Sequence, residues 1–299
     1  MASKNEIVGD YRMYHLIRAG AVYEIWAVRR TSGSDNDVYA IKWLPKDSNR
    51  YSRLAVTELK HEYTVGKALD HKAVIKTYDY GTGANGAWLV MEFFKTPNLK
   101  QQIIADVAAL QWRVKEVLTA AASGLAHMHE RGWVHRDIKP DNYLINDDNE
   151  VRLIDFTIAA KPTGGLSKLF GSKTKVQGTY SYMSPEQIRG QGVDPRDDVY
   201  SFGCLAYELL AGKLPYTANN PQELLQRHLK SKPPSLVVND PNIHPNFDNF
   251  VRQMLAKTRE ERPESMKQVM MKLRTEPIFY TPPRKPVEAD PAAQTDNPN

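Results

Sequence analysis

The run His135-Arg136-Asp137-Ile138-Lys139-Pro140-Asp141-Asn142 places a carboxylate, an amine and an amide within a few residues of one another. A second carboxylate, Asp155, follows beside Phe156, beyond two short apolar runs, Tyr143–Ile145 and Val151–Ile154. Alone, the first run reads equally well as an ordinary polar turn. Together with Asp155 it suits the transfer of a phosphoryl group, which needs a carboxylate to orient an attacking hydroxyl and accept its proton, a cation beside the moving group, and oxygen ligands for Mg²⁺. Asp137, Lys139, and the pair Asn142 and Asp155 meet those needs in that order.

Such a set works only if rigid elements hold it. Stretches rich in β-branched and aromatic residues predict strands over Tyr11–Leu16, Tyr23–Arg29, Val38–Trp43, Ile75–Tyr80 and Ala87–Phe93, separated by turn-forming segments. One helical stretch, Val56–Leu69, lies among them. From Asn98 onward the helical period predicts Leu99–Val107, Gln111–Arg131, Pro195–Ala211, Pro221–Lys230, Asn246–Leu255 and Ser265–Arg274. A small β-rich half followed by a larger α-rich half is an α+β, two-lobed arrangement. The Pro-rich stretch 275–299 reads as a flexible tail, with Ile278-Phe279-Tyr280 as a segment that could dock on the body.

Composition excludes several classes. The chain has 299 residues, 41% hydrophobic and 25% charged, near globular averages. A net charge of +5 with no Lys/Arg run gives no case for nucleic acid. No apolar stretch approaches the roughly 20 residues of a membrane span, and the N-terminus lacks a signal-peptide core. Cys204, the one cysteine, sits in an apolar helical run and reads as packing, so no internal disulfide is expected and a reducing, cytoplasmic setting fits. Oligomeric state is not legible.

The catalytic run and its neighbours resemble the eukaryotic-type (Hanks-type) serine/threonine protein kinase family over roughly residues 11–274. That resemblance implies a bilobal fold with an N-lobe over 11–91, a hinge over 92–97 and a C-lobe over 98–274, preceded by an extension over 1–10. It implies ATP as co-substrate, Mg²⁺ or Mn²⁺ held by Asn142 and Asp155, and protein substrates. Val38-Tyr39-Ala40-Ile41-Lys42 resembles the strand that ends in the ATP-anchoring lysine, and Glu62 its ion-pair partner, with Glu58 one turn earlier as the other candidate. Leu89-Val90-Met91-Glu92-Phe93-Phe94 resembles the hinge, with Met91 at its start and the backbone of Glu92 and Phe94 facing adenine. Ile17, Gly20, Ile25 and Ala40 are the remaining expected nucleotide contacts. Gly178-Thr179 through Ser184-Pro185-Glu186 resembles the end of an activation segment, in which Thr179 holds Asp137 and Lys139 and Glu186 pairs with Arg262. Asp198 resembles the residue that bonds the catalytic loop. The segment between Asp155 and Glu186 carries Lys161, Lys168, Lys173 and Lys175 and no acid. A phosphate on Ser172 or Thr174, received by Arg136, is expected to order it; a loop ordered by substrate contacts is the alternative.

Three positions depart from the family pattern. The glycine-rich loop becomes Arg18-Ala19-Gly20-Ala21-Val22-Tyr23, keeping one glycine, and Arg18 either reaches a phosphate or points to solvent. Asp-Phe-Gly becomes Asp155-Phe156-Thr157, where a β-branched residue restricts flipping of the loop. Gly66, in the middle of the N-lobe helix, predicts a packing gap and a loss of about 1 kcal/mol of helix stability. The departures keep two rivals open beside an active kinase: a scaffold that keeps the fold without turnover, and a small-molecule phosphotransferase, against which the long activation segment speaks.

Overall fold

The computed structural model describes residues 6–32, 37–163 and 178–285, which form two lobes. The first is an antiparallel sheet of β1 (Ile7–Val8), β2 (Tyr11–Ala19), β3 (Glu24–Arg30), β4 (Val38–Pro45), β5 (Thr77–Gly83) and β6 (Gly86–Glu92), ordered β1-β2-β3-β4-β6-β5 and crossed by helix α1 (Arg53–Lys67). Successive side chains on a strand face opposite ways. Along β4, Ile41 and Trp43 therefore join Val8, Met13, Trp26 and Val90 in one apolar layer, while Leu44 packs with Ala55 and Leu59 of α1 on the other face. Lys42 shares that second face and so points at α1. The helix begins where the Ser52 side chain accepts the Ala55 N–H, satisfying one of its otherwise free donors.

Gly66 leaves no gap. A Cβ built there would stand 2.9 Å from Thr77 Cβ and closer still to Thr77 Oγ1. Helix α1 approaches β5 too closely for any side chain, and Thr77 fills the space. The expected gap is therefore overturned by a close approach between two distant segments.

Two strand limits also moved. The sheet starts at Ile7, within the stretch read as an extension, with Val8 buried. Strand β5 starts at Thr77 and not Ile75, because Ala73, Val74 and Ile75 bond instead to Leu153 of the second lobe: Ile75 N–H donates to Leu153 O at 3.0 Å and Leu153 N–H to Ala73 O at 2.9 Å. That stretch joins the lobes.

The second lobe contains α2 (Leu99–Asp106), α3 (Val114–Glu130), the hairpin β7 (Tyr143–Ile145) and β8 (Val151–Leu153), then α4 (Pro185–Ile188), α5 (Pro195–Ala211), α6 (Pro221–Lys230), α7 (Pro245–Met254) and α8 (Met266–Thr275). Every residue of α5 from Asp197 to Leu210 is buried, including Cys204. A helix buried on all sides is the core of its lobe. Its ends are sharp because Asp194 forms a capping box, Pro195 stands at the first helical position, and Gly212 closes it with φ +67°. Beyond α8, Ile278 and Phe279 are buried, Phe279 pairs with Ile243, and His244 N–H donates to Ile278 O at 2.8 Å. The docking alternative for this segment is the one realised, so packing extends past residue 274; residues 286–299 lie outside the described set. No helix among the described residues is long and apolar enough to cross a membrane.

A polar cluster sits under α6. His228 is fully buried, its Nδ1 is 2.9 Å from the Tyr200 hydroxyl, and its Nε2 meets no partner. Lys257 donates to the Tyr216 hydroxyl at 2.9 Å and to His228 O at 2.8 Å. Burial, then the Lys257 charge, pushes the imidazole down to about 4.

Two outcomes test this packing. Gly66→Ala should destabilise the protein by about 1–3 kcal/mol despite its better helix propensity, because overpacking dominates. Thr77→Ala in the same chain should recover part of the loss in thermal melts. For His228, the unfolded group titrates near 6.5 and the folded one near 4. The unfolded chain thus binds more protons between those values, and stability should be lost as pH falls through that window, by at most roughly 3 kcal/mol. His228→Asn, which keeps a partner for Tyr200, should reduce the loss of urea midpoint between pH 7 and 4.5.

Candidate active site

The floor of the interlobe cleft is the loop before β7, and Asp198 of α5 holds it. The fully buried Asp198 carboxylate accepts the backbone N–H of His135 and of Arg136, each at 2.8 Å, and lies 2.8 Å from His129 Nε2. Burial opposes its charge, but these donors outweigh it and hold the carboxyl below its ordinary range. The bonds fix Arg136 at φ +71°, a conformation disfavoured for a residue with a side chain, and Gln187 Nε2 donates to Arg136 O at 2.7 Å.

This backbone turn aims Asp137 into the cleft. Its Oδ1 accepts from Thr179 N–H at 3.0 Å and from the Thr179 hydroxyl at 3.1 Å, and its Oδ2 lies 2.7 Å from Lys139 Nζ. Lys139 also donates to Thr179 Oγ1 at 2.7 Å, closing a three-residue knot. Asn142 Nδ2 donates to Asp137 O at 2.8 Å, which turns the amide oxygen of Asn142 away from that contact.

The upper wall is an ionic cluster around Lys42. Its Nζ stands 2.6 Å from Glu62 Oε2, 3.5 Å from Asp155 Oδ1 and 3.4 Å from Thr157 Oγ1. Three N–H groups thus face three oxygens. Burial works against the ammonium, but Glu62 and Asp155 hold it above its ordinary range. Burial likewise pushes the Asp155 carboxyl up, and Lys42 with the Thr157 hydroxyl outweighs this and holds it well below the usual range. Asp155 adopts φ +67°, while Phe156 is buried against His135.

A cleft of about 590 Å³ lies between floor and wall. Gly20, Ile25, Lys42, Glu62, Met91, Asp137, Lys139, Asn142, Asp155 and Thr179 all line it, as do Glu58 and the exposed Arg18 at its rim. Glu62, not Glu58, meets Lys42. Of the other expected nucleotide contacts, Ile17 sits at an irregularity of β2, nearly half exposed, and does not line this cleft. Nor does Ala40, buried between β3 and β6; Phe94, under the Arg152 guanidinium; or Glu92, whose carboxylate binds Arg152 at 3.0 Å. Arg136 and Glu186 lie outside it. Arg136 donates to Ile158 O at 3.3 Å, and Glu186 is bonded by the buried Arg262 at 2.9 and 3.0 Å, whose other nitrogens reach Ala256 O and Arg196 O. Ser172 and Thr174 lie outside the described residues.

An oxygen pair of one carboxylate and one amide suits Mg²⁺, which takes few protein ligands and completes its octahedron with water and phosphate oxygens. Asp155 and the Asn142 amide oxygen could supply that pair.

Sequence reasoning gave no role to Tyr23 and weighed Thr157 for its branching, not for its hydroxyl. Tyr23 donates its hydroxyl to Ala55 O at 2.9 Å, and its ring lies 4.8 Å from Lys42 Nζ. The Thr157 hydroxyl lies 2.6 Å from Asp155 Oδ1 and 3.2 Å from Glu62 Oε2. Each stands where the family pattern has glycine; a polar group in such a place was the available signal.

Comparison with known proteins accords with this geometry. Residues 19–273 match the protein kinase domain. The chain is 30% identical over 266 residues to the serine/threonine-protein kinase PknB of Mycobacterium tuberculosis, covering 88% of this chain and 42% of that protein. It is 33% identical over 207 residues to PknL of the same organism (69% and 51%) and 29% identical over 269 residues to a probable serine/threonine-protein kinase of Streptomyces coelicolor (89% and 39%). The chain therefore spans about half or less of the length of these relatives. With the kinase domain match covering most of its residues, this chain belongs to the Hanks-type serine/threonine protein kinase family.

Proposed function

We propose that this chain is an active kinase that transfers the γ-phosphoryl group of Mg²⁺-ATP to serine or threonine hydroxyls of proteins. The observation that carries the reading is the convergence of Lys42, Asp137, Lys139, Asn142 and Asp155 on one cleft, with Lys42 held by Glu62 of α1 and the loop residues held by one another and by Thr179. A scaffold that had lost turnover would have no chemical need for this full set.

In this reading Asp137 orients the acceptor hydroxyl and takes its proton as the oxygen bonds to the γ-phosphorus and ADP departs. Lys139, 2.7 Å from that carboxylate, places positive charge beside the transferring group. Lys42, held by Glu62, anchors the nucleotide phosphates. Asn142 and Asp155 would hold Mg²⁺, which would supply positive charge to the phosphate oxygens. Thr179 links Asp137 and Lys139 and so joins the end of the activation segment to the site. Lys139 and Thr179 together favour the serine/threonine branch of the family. Met91 and the hinge backbone after it are assigned to adenine.

ATP consumption with and without Mg²⁺ tests turnover directly; none in the presence of Mg²⁺ and a generic protein substrate would leave only a binding module. Asp137→Asn should lower kcat by several orders of magnitude with nearly unchanged ATP affinity. Asp155→Asn should weaken Mg²⁺-nucleotide binding as well as rate, because a metal ligand is lost. Wild-type rates in either variant, measured by phosphate transfer and calorimetry, would refute the assignment.

A further inference from the structure

Lys42, Glu62 and Asp155 are drawn from β4, α1 and the segment after β8, and nothing in the ion pair alone fixes all three at once. One neutral group touches every member. Thr157 Oγ1 is 2.6 Å from Asp155 Oδ1, 3.2 Å from Glu62 Oε2 and 3.4 Å from Lys42 Nζ. A hydroxyl has one proton to give and lone pairs to receive. The shortest contact takes the proton, so Thr157 donates to Asp155 and accepts from Lys42, and Glu62 is held through Lys42 and not by a bond of its own to the hydroxyl. The Thr157 N–H adds a second tie, donating to the same Asp155 Oδ1 at 3.4 Å. The Tyr23 ring also lies over the Lys42 ammonium, and its hydroxyl bonds the first turn of α1 through Ala55 O. Burial pushes the Tyr23 phenol up to about 12, so it stays a donor.

We propose that Thr157 and Tyr23 are positioning residues, which brace Lys42, Glu62 and Asp155 in the arrangement that receives a Mg²⁺-nucleotide. The inference rests on reading this cleft as a Mg²⁺-nucleotide site. Its physical content is preorganisation. With Oδ1 held by Thr157 and facing Lys42, the Asp155 carboxylate is fixed at the cleft wall through one oxygen. A charge-assisted hydrogen bond inside a cleft is worth more than one in water, and the cost of ordering Asp155 is met before the metal arrives.

The test uses ADP, so it does not depend on turnover. Thr157→Val replaces the hydroxyl by a methyl group of similar size, and Thr157→Ser restores the hydroxyl. Calorimetry of the full chain with Mg²⁺-ADP should show an affinity about tenfold or more lower for Thr157→Val, near wild type for Thr157→Ser, and little change in either with metal-free ADP. If the valine variant does not fold, Thr157→Ala makes the same comparison with less bulk. Tyr23→Phe, which keeps the ring, should raise hydrogen exchange of amides in the first turn of α1. Wild-type Mg²⁺-ADP affinity in Thr157→Val, or an equal loss with and without metal, would overturn the role of Thr157; unchanged exchange would remove Tyr23. Wild-type protein that binds Mg²⁺-ADP but consumes no ATP refutes the proposed function and leaves this comparison intact.

Discussion

The site hangs on one buried carboxylate. Asp198 has no exposed surface, and an ion in that position costs several kcal/mol unless its oxygens are filled. They are filled by backbone N–H groups of His135 and Arg136 and by His129, so the need to satisfy Asp198 dictates the path of the loop that carries Asp137. Its place in the first turn of α5 adds the favourable end of the helix dipole. The loop in turn bears Arg136 at positive φ, a strain of order 1–3 kcal/mol that persists only because its surroundings over-determine it. Since α5 is buried along nearly its whole length, the direction of Asp137 is inherited from the core helix of the second lobe.

The other half of the site belongs to the sheet, and the two halves must keep register. Three contacts outside the Lys42 cluster do this. Ala73 and Ile75, on either side of Val74, bond Leu153. His61, next to Glu62 on α1, bonds Ala159 O at 2.8 Å and meets the edge of Trp133. Val134 pairs with Ala160, so the segment that carries Asp155 is tied to the strand-like entrance of the Asp137 loop. Helix α1 is thereby fixed from the floor as well as from β4.

How much of this the sequence reveals depends on the range of the interaction involved. Helix α5 was legible to the residue because its signals are local: Asp194, Pro195 and Gly212 punctuate a long apolar run. Asp137, Lys139 and Asn142 stand close in sequence, with Asp155 a little beyond, and the structure brings all four to one cleft. What the sequence hid was set by contacts between distant segments. Gly66 looked like a defect until Thr77 was seen against it. The strand expected from Ile75 was shortened by a partner in the other lobe, and short 3₁₀ turns such as Ala108–Arg113 replaced the expected start of α3. Glu92 and Phe94 were named from a family pattern whose contacts use the backbone and not the side chain.

The glycine-poor phosphate loop follows the same logic. Gly20 N–H donates to Tyr23 O at 2.9 Å, closing a tight turn between β2 and β3, and a Cβ at Gly20 would come within 2.8 Å of that same oxygen. Glycine is thus retained at the one loop position where the backbone has no room for a side chain. Arg18, by contrast, lies in β2 paired with Ile25, where extended backbone accepts any residue. Arg50 donates to Gly20 O at 2.9 Å and holds the turn from outside, while Tyr23 holds it to α1 from within. Conformational freedom that glycines would give the loop has been exchanged for fixed contacts, one of which, through Tyr23, lies against Lys42. In this chain the roof of the cleft is therefore built as a braced hairpin, whose geometry depends on side chains that a glycine-rich loop would lack.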